Sequence, residues 1–190
     1  MLALWIGAIG ILIGDDPLQE ASTLPGPNGE PGGNVVDRTA PVVPECVEDC
    51  DAVVTRAEMA TAVAEAFELP VTTKNFFTDD DGSPHEGNIN RMASAGIMRG
   101  CGNDQFCPSD DVTHGRIATV LSRVLELPKS DTDHFGDDDG HKLENAINRV
   151  AEAGITEGCG DDAYCPDEPL TRSQLVTLLT RALGLDDPVA

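Results

Sequence analysis

Six cysteines stand in three close pairs, Cys46/Cys50, Cys101/Cys107 and Cys159/Cys165. Thiols so close in sequence either hold a metal or oxidise to disulfides. C-x5-C is not a usual zinc-knuckle spacing, and no histidine recurs beside both longer pairs. An even, paired count in a small domain points to disulfides and an oxidising compartment. The second chemical group is the acidic turn, Asp79, Asp80, Asp81 and Gly82, with its counterpart Asp137, Asp138, Asp139 and Gly140. Clustered carboxylates are Ca2+ chemistry, but the alternating ligands and final glutamate of an EF-hand loop are absent. Turn formation and negative charge ahead of a helix start are their expected role, with weak Ca2+ binding left open. No histidine recurs near a serine or cysteine nucleophile, and there is no Gly-rich phosphate loop. Acidic residues are numerous enough for a glycosidase-type pair, but each has an adequate surface or capping role. The chain is therefore expected not to be an enzyme, and to need no cofactor and no metal.

These groups recur every 58 residues, so repeated elements must position them. Residues 77–127 align with 135–185 without a gap, 25 of 51 positions being identical. Thr55-x-x-Glu58 is a capping box opening a helix whose stripe is Met59, Ala62, Val63, Ala66 and Phe67. Pro70 stops it. Ser83-Pro84-His85-Glu86 has the form of a second capping box, with Ile89, Met92 and Ala93 on the buried face. Gly96 sits where a left-handed residue ends that helix, and Ile97 can fold back on it. A turn-rich loop with Phe106 as apolar anchor follows, then a helix from Thr113 carrying Ile117, Val120, Leu121, Val124 and Leu125. The next copy repeats each step and ends on a helix capped by Thr171 and Gln174, with Leu175, Leu178, Leu179, Ala182 and Leu183 inside. The expected fold is all-α, five helices in about two and a half helix–loop–helix repeats with disulfide-closed loops.

The chain divides into an apolar segment at 1–14, a linker rich in Pro, Gly and acid at 15–45, and a repeat domain at 46–185. The domain comprises a half-repeat 46–70 and repeats 76–128 and 134–185. Segment 1–14 is too short for an ordinary membrane span, and reads as the end of a signal or anchor. Twelve basic residues stand against 34 acidic, a net charge of −22. Such a surface repels nucleic acid and anionic membrane, so neither is an expected partner beyond the possible anchor.

The ordered pattern of Phe77, Asp79, Ile89, Gly96-Ile97, Gly100 and Thr113 resembles the S-layer homology domain. It returns in Phe135, Asp137, Ile147, Gly154-Ile155, Gly158 and Thr171-Arg172, and residues 55–58 read TRAE, the family's usual signature. The resemblance covers about residues 46–185. The paired-cysteine loop looks like a variant of exported actinobacterial members. The resemblance implies repeats around a pseudo-threefold axis and a place on the cell surface or in the cell wall. It also implies non-covalent anchoring to secondary cell-wall polysaccharide, acidic or pyruvylated. Arg56, Arg172, Thr55, Thr171 and His114 are the ligand candidates it supplies, His114 standing where the other copies have arginine. Free N–H groups and positive potential at those helix N-termini would favour an anion. The alternative is a secreted structural or protein-interaction repeat that binds no glycan. A closed monomer is expected, with the first helix packed on the two complete repeats and Phe67 in the core.

Overall fold

In a computed structural model of the chain, residues 48–185 are described, all within the unit spanning Arg38–Ala190. Cys46, segment 1–14 and linker 15–45 lie outside the described residues. Five helices follow in order: α1 (Arg56–Ala66), α2 (Glu86–Ser94), α3 (His114–Val124), α4 (Glu144–Glu152) and α5 (Arg172–Ala182). The fold is all-α, and the described residues form only isolated β-bridges and no strand.

Those bridges mark the axis. Val54 N–H donates to the Leu170 carbonyl, Leu170 N–H to Val112, and Val112 N–H back to Val54, at 2.8, 2.8 and 2.9 Å. Three residues spaced 58 apart thus close a ring, the signature of a pseudo-threefold axis. All three side chains are fully buried at its centre. The ring uses the extended residues just before α1, α3 and α5, so those three starts are enough to close it.

Capping explains where α1 and α5 begin. The Thr55 hydroxyl accepts from Glu58 N–H, and Glu58 Oε2 accepts from Thr55 N–H at 2.9 Å. Thr171 and Gln174 repeat the exchange. Thr113 makes no such side-chain bond, and Arg116, the third helical residue there, has no acceptor to return to Thr113 N–H; the Arg116 N–H donates instead to the Thr113 carbonyl at 3.0 Å. The box expected at residues 83–86 is not formed. Glu86 instead begins α2, and its Oε2 accepts from Gly82 N–H at 2.9 Å, bracing the acidic turn. Glu144 braces Gly140 in the same way at 2.8 Å. Gly96 and Gly154 end α2 and α4 in left-handed geometry (φ +71° at both), which lets Ile97 and Ile155 fold back into the core.

Packing crosses the repeat boundaries: α1 lies on α2, α3 on α4, and α5 makes a lighter contact with α1. Met59 and Val63 of α1 and Ile89 and Met92 of α2 are buried, each worth about 1.5–3 kcal/mol. The first helix therefore has the following repeat as its partner, and Phe67 is only half-buried at its end. The less covered helix is α5. Leu175 and Leu179 alone are buried in it, and Leu185 just beyond is 46 % exposed. No helix among the described residues is long and apolar enough to cross a membrane.

Candidate functional site

The cysteine loops are the rigid walls of the site. Cys101 is bonded to Cys107 and Cys159 to Cys165, with Cα atoms 6.1 and 6.0 Å apart. Cys50 is also disulfide-bonded. Inside each loop a backbone pair closes the turn: Cys101 N–H to the Gln105 carbonyl and Cys159 N–H to Ala163, both 2.8 Å. The first aspartate of each acidic turn clamps the loop from outside. Asp79 accepts from Phe106 and Cys107 N–H at 2.7 and 2.8 Å, and Asp137 from Tyr164 and Cys165 N–H, both 2.7 Å. Burial pushes these carboxyls up, but the N–H donors outweigh it and hold both below the usual range. Asp137 also lies near Cys159 and Cys165, but their sulfurs are spent in the disulfide and can ligate no metal.

Each long helix inserts its start against the loop of the next repeat. Arg56 N–H donates to the Asp110 carbonyl, His114 N–H to Glu168, and Arg172 N–H to Ala52. The next N–H groups, of Ala57, Gly115 and Ser173, donate to Pro108, Pro166 and Cys50. In α1 and α5 the third is capped by threonine. The free N–H groups expected at these helix starts are therefore already bonded within the protein. What remains for a ligand is side chains, and these differ from groove to groove.

The groove between α1 and the second repeat has a volume of about 410 Å3 and is lined by Arg56, Arg99, Arg116 and Arg123, with Asp110. Arg56 Nε donates to the Phe106 carbonyl and its Nη2 to that of Arg99, both 2.9 Å. Its guanidinium stacks 4.5 Å from the centre of the Phe106 ring. Arg123 donates to the Ile97 carbonyl at 2.7 Å. These bonds to neutral carbonyls orient the guanidinium groups without neutralising them. Burial, then repulsion from Arg116, lowers the Arg56 pKa against the pull of Asp110 and Asp79.

The equivalent groove one repeat on is about 290 Å3. At the positions of the four arginines it has His114, Glu157, Gln174 and Arg181. Arg181 is paired with Glu157 at 3.2 Å. His114 is buried, its Nε2 3.2 Å from Gln174 Oε1, and Tyr164 donates its hydroxyl to the His114 carbonyl at 2.9 Å. At the third equivalent position Arg172 is in an ion pair with Glu58.

The structure thus separates the sequence candidates. Arg56 lies in a cationic groove, His114 in a near-neutral one, Arg172 in an ion pair, and Thr55 and Thr171 in caps. Arg99 and Arg123 were missed because they fall outside the TRAE-like tetrads, and Arg116 because it stands in the glutamate's place in one of them, residues 113–116. The signal was available: positions 56, 99, 116 and 123 shifted by 58 read His, Glu, Gln, Arg.

Fold and grooves define a class of protein, a disulfide-braced helical repeat module closed around a pseudo-threefold axis. Residues 76–115 and 134–176 match the family model described as S-layer homology domain, so both complete repeats carry that family's pattern. A cell surface protein of Thermoanaerobacter kivui is 29 % identical over 119 residues, 58 % of this chain and 16 % of the relative. The S-layer protein sap of Bacillus anthracis is 27 % identical over 135 residues, 69 % of this chain and 16 % of that protein. An endoglucanase of Bacillus sp. (strain KSM-635) is 30 % identical over 86 residues, 45 % of this chain and 9 % of the enzyme. The chain thus spans less than a fifth of the length of each of these relatives.

Proposed function

We propose that this domain is a non-enzymatic anchoring module, and that it holds the protein at the cell surface by binding an acidic, for example pyruvylated, cell-wall polysaccharide. A cell-surface location and an anchoring role accompany the family. The small share matched in each relative, one of them an endoglucanase, suits a module that carries other functions to a surface. The groove of Arg56, Arg99, Arg116 and Arg123 carries the finer reading. It gathers four of the twelve basic residues of a chain with net charge −22. Guanidinium groups that repel one another persist where an anion will be shared between them. A carboxylate on a sugar ring suits this groove: Arg56 and Arg116 take the charge, and Ile97, Met98 and Val120 line it with apolar surface. The other two positions are neutralised, so one strong site per chain is expected rather than three. The acidic exterior would repel an acidic polymer elsewhere and direct it to this groove.

Sedimentation with wall fragments tests the reading. The protein should pellet with intact walls and stay in solution with walls stripped of their secondary polysaccharide. Pelleting that is equal with both preparations would contradict it.

A further inference from the structure

Two aspartates of the acidic turns are used by nothing described above. Asp138 is 0 % and Asp80 1 % exposed, and neither carboxylate has a hydrogen-bond partner beyond its own backbone N–H. A buried, unpartnered carboxylate is costly, yet it occurs twice, at equivalent positions. The turn itself does not require it. Backbone bonds from Ser83 to Asp80 (2.9 Å) and from His141 to Asp138 (2.8 Å), with the Glu86 and Glu144 braces, already close it. The surroundings are negative. Asp133, Glu144 and Asp137 all act on the Asp138 carboxyl, and Asp133 also contacts Asp139 carboxyl to carboxyl. Asp133 and Glu144 line an open cleft of about 380 Å3, together with Asn148, His141, Lys129 and Lys142, so solvent reaches the edge of the cluster.

We infer that the acidic turn of each complete repeat is a divalent-cation site that takes Ca2+. Asp138 and Asp80 are the buried ligands, and the neighbouring carboxylates close over the ion from the rim. The donors are all oxygen, which favours a hard cation over zinc or copper. Ca2+ accepts irregular coordination by several carboxylates, whereas Mg2+ demands a near-ideal octahedron. In the last repeat the rim ligands are Asp133, Asp139 and Glu144. In the middle repeat they are Asp81 and Glu86, and Asn75 stands where Asp133 does, donating to Asp81 at 2.7 Å. One carboxylate fewer makes the middle site the weaker. A bound ion would fasten the acidic turn, and with it Asp79 or Asp137 and the cysteine loop that forms the groove wall.

Calorimetric titration of the full EDTA-stripped chain with CaCl2 tests this, alongside thermal melts. Two binding events are expected, with MgCl2 at least tenfold weaker. Melting should rise by roughly 5 °C or more at saturating Ca2+. Asp138→Asn should remove the tighter event and Asp80→Asn the weaker. Asp138→Asn in EDTA should melt at or above the wild type, because a buried charge is gone, so loss of binding cannot be ascribed to misfolding. Tb3+ gives a second readout. Tyr164 is the one tyrosine and lies within the electrostatic reach of Asp138, so its sensitised emission should be competed away by Ca2+ and lost in Asp138→Asn. Wild type without Ca2+ heat or melting shift, or Asp138→Asn with both events intact, would overturn the proposal.

Discussion

At the scale of single residues, Gly100 and Asp79 show how little freedom the loop has. A Cβ on Gly100 would collide with the Gln105 carbonyl and lie 2.8 Å from the Phe77 ring. Neither the backbone of a disulfide-closed loop nor a buried ring can give way. Gly100→Ala should therefore destabilise by about 1–3 kcal/mol, read in thermal melts. Gly87→Ala, where the added atom meets nothing within 4 Å, should be neutral or slightly stabilising. Asp79→Ala strips two charge-assisted bonds from the same loop and should cost about 1–3 kcal/mol. The pH sign follows from the lowered carboxyls. Asp79 and Asp137 contribute stability that is complete above their unfolded value of 3.8 and is lost as pH falls through their lower folded values. Chemical melts from pH 5 to pH 2 should show that loss, with a shallower slope in Asp79→Asn. The aspartates were legible as repeated letters, and their partners were not. Asp79 and Phe106 are 27 residues apart, and only the folded chain brings them together.

At the scale of elements, the 3.6-residue stripes and the 58-residue period announce five helices, and both turn glycines end helices as expected. Two features could not be read from pattern. Glu86 has two N–H groups within reach, and the choice of Gly82 over a helix cap depends on how the acidic turn folds back. Helix partners are equally invisible, since a stripe says that a face is buried and not what buries it. That α1 pairs with α2 has an energetic consequence. Met59 is 1 % exposed in that contact, so Met59→Ala should cost about 2–5 kcal/mol and lower the melting point accordingly. The sparse burial of α5 has a dynamic one. In hydrogen exchange, amides in the second half of α5 should exchange before those at equivalent places in α1 and α3. Equal protection in all three would show that another part of the protein covers α5. Reducing the two loop disulfides removes about 2 kcal/mol each. The Asp79 and Asp137 clamps should nevertheless keep the helices folded at room temperature, measured by far-UV circular dichroism.

At the scale of the molecule, one period gives three geometrically equivalent positions with three different charges. The backbone ring through Val54, Val112 and Leu170 keeps them in register, and the side chains at positions 56, 99, 116 and 123 diverge from their copies. Symmetry was legible in the sequence, and so was the candidate Arg56. The concentration of charge in a single groove was not, because Arg99, Arg116 and Arg123 come from a loop and a helix face that only folding places beside Arg56. Averaged over the chain, a net charge of −22 repels an acidic ligand. Locally the groove has the opposite sign.

The central claim is that this one groove binds the acidic wall polymer. The most direct measurement is the affinity of purified wall polysaccharide for the wild type, Arg56→Ala/Arg116→Ala and Arg172→Ala, by calorimetry at fixed ionic strength. Removing two charge-assisted contacts, at about 1.5–3 kcal/mol each, should weaken binding at least a hundredfold in the double variant. Arg172→Ala, which loses only an ion pair with Glu58, should bind within about threefold of the wild type. Wild-type affinity in the double variant, with the loss appearing in Arg172→Ala instead, would place the polymer elsewhere on the ring and contradict the account.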